Sequence, residues 1–150
     1  MCRNWICNLL CRKPSSIPKP YYLDDISVSE VYTILKAEFP NCQIYLSDSK
    51  YKTTSVIELR RFLSHDMVDK EQYVSQYFDC DDFSFSLLGN ITNSEWGSLP
   101  FGLLWTEIEG GVAHAVNIFI DDNRIVHVIE PQDDSVFSVP GNWKPYLIVM

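Results

Sequence analysis

The sequence has no run of apolar residues approaching the roughly 18 to 20 that a membrane-spanning helix requires, so no transmembrane segment is expected. Positive charge is scarce: 12 Lys and Arg stand against 20 Asp and Glu, a formal net charge of −8. Binding a phosphate backbone needs clustered Lys and Arg, which excludes nucleic acid as the main partner. A spaced disulfide framework is also missing. Three of the five cysteines (Cys2, Cys7, Cys11) crowd the N-terminus, and Cys42 and Cys80 lie in the body. That usage fits the cytoplasm or another reducing compartment. No secretory signal peptide is expected either. The N-terminal apolar run is short, is broken by Asn4 and Asn8, and ends at Arg12-Lys13 rather than at a small-residue cleavage site. The chain has no internal repeat.

Against these absences stands an ordinary globular composition, 46% hydrophobic and 21% charged. A chain of 150 residues suffices for one domain that buries about two-thirds of its unfolded surface. Residues 1–20 differ from the rest: a basic, cysteine-rich tail, then a stiff linker built from Pro14, Pro18 and Pro20 with Ser15 and Ser16. Peripheral membrane contact through residues 1–13 is one reading of the tail, with Trp5, Ile6, Leu9 and Leu10 as its apolar edge. S-acylation or packing on the domain are others; three thiols without a nearby histidine match no standard zinc spacing. Residues 21–150 form the domain.

Ser27 followed by Glu30 is a capping-box pattern, and Val28, Val31, Tyr32, Leu35 and Phe39 share a helical face. A helix over 28–39, ended by Pro40, follows. Residues 42–46 suit a short strand, with Cys42 as a small core residue. Ser55 with Glu58 starts a second helix over 56–64, with Leu59, Phe62 and Leu63 buried; His65 beyond it suits a helix C-terminus. A third helix runs from Cys80 to about Leu88, where Gly89-Asn90 stops it. The chain then turns to strands over 101–109, 113–120, 125–130 and 146–150. Helices first and an antiparallel meander afterwards is an α+β plan.

The chemistry concentrates on Asp79-Cys80-Asp81-Asp82 at the start of the third helix. Free N–H groups at a helix N-terminus favour a thiolate, whereas flanking carboxylates disfavour it. A cation held by Asp79, Asp81 and Asp82 would relieve that conflict, and calcium prefers several oxygen ligands. Plain helix capping by the same aspartates is the simpler explanation. Downstream, His114 opens one strand and Glu130 ends the next, giving the order Cys, His, acid of a thiol hydrolase. Side chains alternate along strands. A three-residue Asp121-Asp122-Asn123 loop, with Asn123 left-handed, therefore places His114 directly across from Glu130. Alternation turns Asn117 away from His114 and His127 away from Glu130.

The Asp79-Cys80-Asp81-Asp82-Phe83 motif, with residues 111–117 (GVAHAVN) and Ile129-Glu130-Pro131-Gln132, resembles papain-like and transglutaminase-like cysteine peptidases. It is most similar to the protease-domain family of the Marasmius oreades mushroom agglutinin, across roughly residues 25–150. The resemblance implies a papain-like fold with Cys80 as nucleophile, His114 as general base and Glu130 orienting its imidazole. It also implies calcium-dependent activity on a peptide or protein substrate, with Gln132 near the site. Gln72 and Gln76 are both available as the oxyanion donor. No organic cofactor is expected. Amide hydrolysis and transamidation use the same residues. The rival reading is a catalytically idle binding or effector module; a third is a structural calcium-binding domain.

Overall fold

The computed structural model describes residues 16–150; the expectations for the cysteine-rich tail, membrane contact included, lie outside the described residues. Residues 16–20 run along the domain, held where Trp96 donates its indole N–H to the Pro18 carbonyl (2.6 Å) and Arg61 donates to Lys19 O (2.6 Å). Eight strands follow: β1 (Asp25–Ser27), β2 (Gln43–Tyr45), β3 (Lys50–Lys52), β4 (Phe101–Ile108), β5 (Val112–Ile120), β6 (Val126–Glu130), β7 (Ser135–Phe137) and β8 (Lys144–Val149). The helices are α1 (Val28–Glu38), α2 (Val56–Leu63) and α3 (Cys80–Thr92).

Both serine caps form. Ser27 Oγ accepts from Glu30 N–H and Ser55 Oγ from Glu58 N–H, each at 3.2 Å, satisfying one orphan donor per helix. Val31, Leu35 and Phe39 are buried as expected, whereas Tyr32 is 46% exposed on the rim of the stripe. Helix α3 runs through Gly89 to Thr92. A Cβ at Gly89 would meet nothing within 4 Å, so the glycine's intrinsic cost is carried by a helix that buries Phe83, Leu87 and Ile91.

The expected antiparallel meander needs correction. Strands β4, β5, β6 and β7 do form one, but the six-stranded sheet runs β2-β8-β4-β5-β6-β7. The C-terminal β8 pairs antiparallel with β4 and parallel with β2. Sequence alternation has no means of announcing that long return. Strands β1 and β3 form a separate antiparallel pair. Nor do the helices stack together on one side of the sheet. Val31, Leu35 and Phe39 of α1 share a cluster with Leu104, Val116, Ile118, Val128 and Ile148. Residues of α2 and α3 (Leu59, Phe62, Phe83, Leu87, Ile91) share another with Phe119, Ile129 and Trp96. Adjacent β5 positions, Ile118 and Phe119, thus enter opposite layers, and the sheet carries a core on each face.

Candidate ligand-binding site

Cys80 is the first residue of α3, and three local devices fix the approach to it. Gln76 turns with φ of 68°, and its N–H donates to the Asp79 carboxylate (3.1 Å). The Asp79 N–H donates in turn to the Asp82 carboxylate (3.1 Å), half of a capping box. Phe78 meets Phe83 edge to face with centroids 4.8 Å apart, anchoring the entry to the core. The helix is then pinned to the sheet by fully buried Asn117, whose amide donates to Ser84 O (3.0 Å) and Gly102 O (3.2 Å).

His114 Nε2 and Glu130 Oε2 lie 2.9 Å apart, both largely buried. Their register differs from the expected one. Strand β5 pairs Ile120 with Val126 and Asn117 with Ile129, so the loop spans five residues rather than three. Continuing that register puts Glu130 across from Val116, and the His114–Glu130 contact is diagonal. Same-face diagonal neighbours still lie within reach of long side chains, and an odd loop preserves the face. The left-handed residue is Arg124 (φ 66°), not Asn123. Its guanidinium bonds Asp24 (3.0 and 3.2 Å) and Glu30 (2.7 Å), which hold that turn. His127 points elsewhere, its Nε2 2.9 Å from Asp121.

A cavity of about 360 Å³ is lined by Tyr73, Gln76, Asp79, Cys80, Asp81, Trp105 and residues 113–115. Cys80 and His114 therefore share a wall, with Glu130 bonded to the histidine. Of the glutamines, Gln76 lines the cavity, while Gln72 is exposed and not part of its lining. Gln132 donates from its side chain (3.2 Å) and its backbone (3.3 Å) to Glu130 Oε1, bracing the acid. Sequence reasoning missed Trp105 and Tyr73. Trp105 lies in an apolar strand that reads as core, and Tyr73 in a stretch without periodicity. Trp143 was missed as well; it meets the His114 ring edge to face at 5.9 Å.

Electrostatically the cavity is acidic. Burial pushes the Cys80 thiol up, Asp79 and Asp81 push it further, and backbone hydrogen bonds offset this only in part. Asp81 is also raised, first by its hydrogen bond with the Asp79 side chain and then by burial. Ligand atoms of Asp79, Cys80 and Asp81 lie within 4.8 Å of one another, while Asp82 is occupied by its cap. Calcium takes six to eight oxygen ligands, and this set supplies two carboxylates and a sulfur.

No family model matches the chain, and no curated protein does. Among solved structures the chain is similar to the PSL1a-E64 complex, with a TM-score of 0.74 and 24% identity over 84% of this chain and 51% of that one. It is also similar to Polyporus squamosus lectin bound to the human-type influenza-binding epitope Neu5Aca2-6Galb1-4GlcNAc. There the TM-score is 0.71 and the identity 23%, over 84% of this chain and 49% of that one. The chain thus spans about half the length of the structures it matches, and at these identities the likeness is one of fold. These lectin matches correct the papain-like and transglutaminase-like recognition and the papain-like α+β class assigned with it. The cysteine-hydrolase, thiol-protease and catalytic-triad readings of the motif fall with that recognition, since they came with it and a likeness of fold to a lectin does not bear them out. A peptide or protein substrate finds no support in them. Among the described residues, no helix is long and apolar enough to cross a membrane.

Proposed function

We propose that this domain is a binding module and that the cavity beside Cys80 and His114 is its recognition site for a carbohydrate. The observation that carries the reading is the lining of the cavity, aromatic rings beside carboxylate and amide groups. Burial first, and Asp79 and Asp81 with it, raise the Cys80 thiol, which lowers its thiolate fraction. What remains is a concave site of ligand size, with the Trp105 and Tyr73 rings and the polar groups of Gln76, Asp79, Asp81 and His114. An indole face packs against the C–H face of a sugar ring, and carboxylate and amide groups take its hydroxyls. The matched lectin bound to a trisaccharide supports the ligand class.

The test is a titration of the ¹⁵N-labelled full chain with a panel of neutral, amino and acidic oligosaccharides. At least one should shift amides of residues 79–81 and 113–115 and the Trp105 indole. Trp105→Ala should weaken that ligand at least tenfold while the spectrum stays folded. Binding indifferent to Trp105→Ala, or no member of the panel at the cavity, would refute the site. Cleavage of an unfolded protein that disappears in Cys80→Ala would refute the non-catalytic reading itself.

A further inference from the structure

We infer that Gln76 reads the ligand of the cavity: its side-chain amide pairs with two adjacent free hydroxyls of a sugar ring, and its left-handed backbone is kept for that use. This rests on the binding-module reading and names the group by which the site selects. Three non-glycine residues of the described chain have a positive φ, Gln76 (68°), Arg124 (66°) and Asp134 (60°). A Cβ makes that conformation unfavourable, and glycine, asparagine and aspartate are its usual occupants. Two of the three have a local reason. The Arg124 guanidinium is tied to Asp24 (3.0 Å) and Glu30 (2.7 Å), and Asp134 is of a residue type that tolerates the conformation. Gln76 has neither. Its backbone N–H donates to the Asp79 carboxylate (3.1 Å), a bond that a glycine would make equally, and its side-chain amide takes no partner among the described residues.

The turn itself needs no side chain at this position. Val74 and Phe78 exchange backbone hydrogen bonds (2.8 and 2.7 Å), and Tyr77 N–H adds one to the Val74 carbonyl (2.9 Å). Main chain alone therefore closes the loop of Ser75, Gln76 and Tyr77, and a glycine would fit it at lower cost. The glutamine is instead one of the residues that line the cavity. A backbone outlier kept where glycine would serve points to a use for its side chain. Of the other polar groups in the wall, His114 Nε2 is committed to Glu130 (2.9 Å), and an ionised aspartate only accepts. An amide presents an N–H donor beside a C=O acceptor. Adjacent hydroxyls of a sugar ring offer the matching pair, one accepting and one donating. The Trp105 ring, held edge to face by Phe85 with centroids 5.8 Å apart, is then left for the C–H face of the same sugar. A sugar that lacks either hydroxyl loses one of the two bonds, a severalfold effect for a hydrogen bond of ordinary strength.

The probes are the methyl glycosides of glucose, galactose and mannose, with the 2-, 3- and 4-deoxy forms of each, titrated into the ¹⁵N-labelled full chain. The tightest parent sugar should shift the amides of residues 76 and 113–115 and the Trp105 indole. Two of its deoxy forms, at adjacent positions, should bind at least fivefold more weakly than it does. Gln76→Met keeps the length of the side chain without the amide. It should weaken the parent sugar at least fivefold at an unchanged urea midpoint, and the deoxy forms should then bind as the parent sugar does. Gln76→Gly should weaken the sugar as much and raise the midpoint. Arg124→Gly should do the reverse, lowering the midpoint and leaving the affinity unchanged. Where only a member of the oligosaccharide panel binds, the same variants are read against it. A Gln76→Met chain with undiminished affinity, or one that still discriminates against the deoxy forms, would overturn the inference and leave the binding module standing. So would a Gln76→Gly chain of lower midpoint, since the left-handed glutamine would then serve the turn. If no glycoside and no member of the oligosaccharide panel perturbs the cavity, both readings fall.

Discussion

Asp134 offers a sharp test of the electrostatics of this fold. It sits in the β6–β7 turn with φ of 60°, and its buried Oδ1 has no hydrogen-bond partner. Burial raises its carboxyl to about 7, and the neighbouring carboxylates Asp69 and Asp66 push the same way. An unfolded Asp titrates near 3.9, so between about pH 4 and pH 7 the folded chain holds a proton that the unfolded chain has lost. Stability from this group is therefore fully present below pH 4 and falls as pH rises through 7. Asp134→Asn removes the titration and keeps a residue that tolerates the left-handed conformation. The full shift of about three pH units corresponds to about 4 kcal/mol at 1.36 per unit. Because the side chain is only partly buried, solvent screening reduces this to roughly 2 kcal/mol at pH 8. Urea melts followed by circular dichroism at pH 5, 6, 7 and 8 should show the variant's advantage growing to pH 7 and levelling off by pH 8. An advantage independent of pH, or a variant less stable at pH 8, would refute the assignment of the raised carboxyl to Asp134.

Three further substitutions test the packing that positions the site. Gly102→Ala would place a Cβ 2.3 Å from the Val149 carbonyl. It should cost about 3 kcal/mol by forcing β4 and β8 apart, read as a lower urea midpoint. Asn117→Ala leaves the buried Ser84 and Gly102 carbonyls without their amide donor and should cost about 2 to 3 kcal/mol. Amide exchange at the start of α3 should accelerate in the same variant. Phe62→Ala opens a void beside fully buried Trp96, whose ring lies 5.2 Å away centroid to centroid. It should lower stability by about 3 to 5 kcal/mol, with the change in tryptophan emission reporting the loosened contact.

The parts of the fold written in short-range pattern were legible in the sequence. Serine caps three residues ahead of a glutamate started α1 and α2 where expected, because capping depends on residues adjacent in the chain. Long-range pairing was not legible. Ile44 and Ile148 lie side by side in a parallel pair, and nothing within either segment encodes the other. The helix stop at Gly89 failed for a related reason. A glycine's backbone preference is worth about 1 kcal/mol, and burial of Leu87 and Ile91 on either side of it outweighs that. Phe85 of α3 is half exposed and meets Trp105 edge to face near the cavity.

The site teaches a different lesson about motifs. The side-chain order Cys80, His114, Glu130 was visible, and the fold does place the first two on one cavity wall with the third bonded to the imidazole. The ionisation state was not encoded in that order. It depends on how deeply Cys80 sits and on which way two aspartates turn. Asp82 turns back to cap the helix, leaving Asp79 and Asp81 beside the thiol. Both then raise the thiol, and burial raises it more. Exchanging the two aspartates for asparagines removes that contribution but not the burial. The double variant Asp79→Asn, Asp81→Asn should therefore alkylate with iodoacetamide faster at Cys80 than the parent between pH 7 and 8, yet still more slowly than a free thiol. A parent Cys80 that already reacts faster than a free thiol at pH 7 would mean that the wall does not raise the thiol. The non-catalytic side of the carbohydrate reading would then lose its electrostatic support.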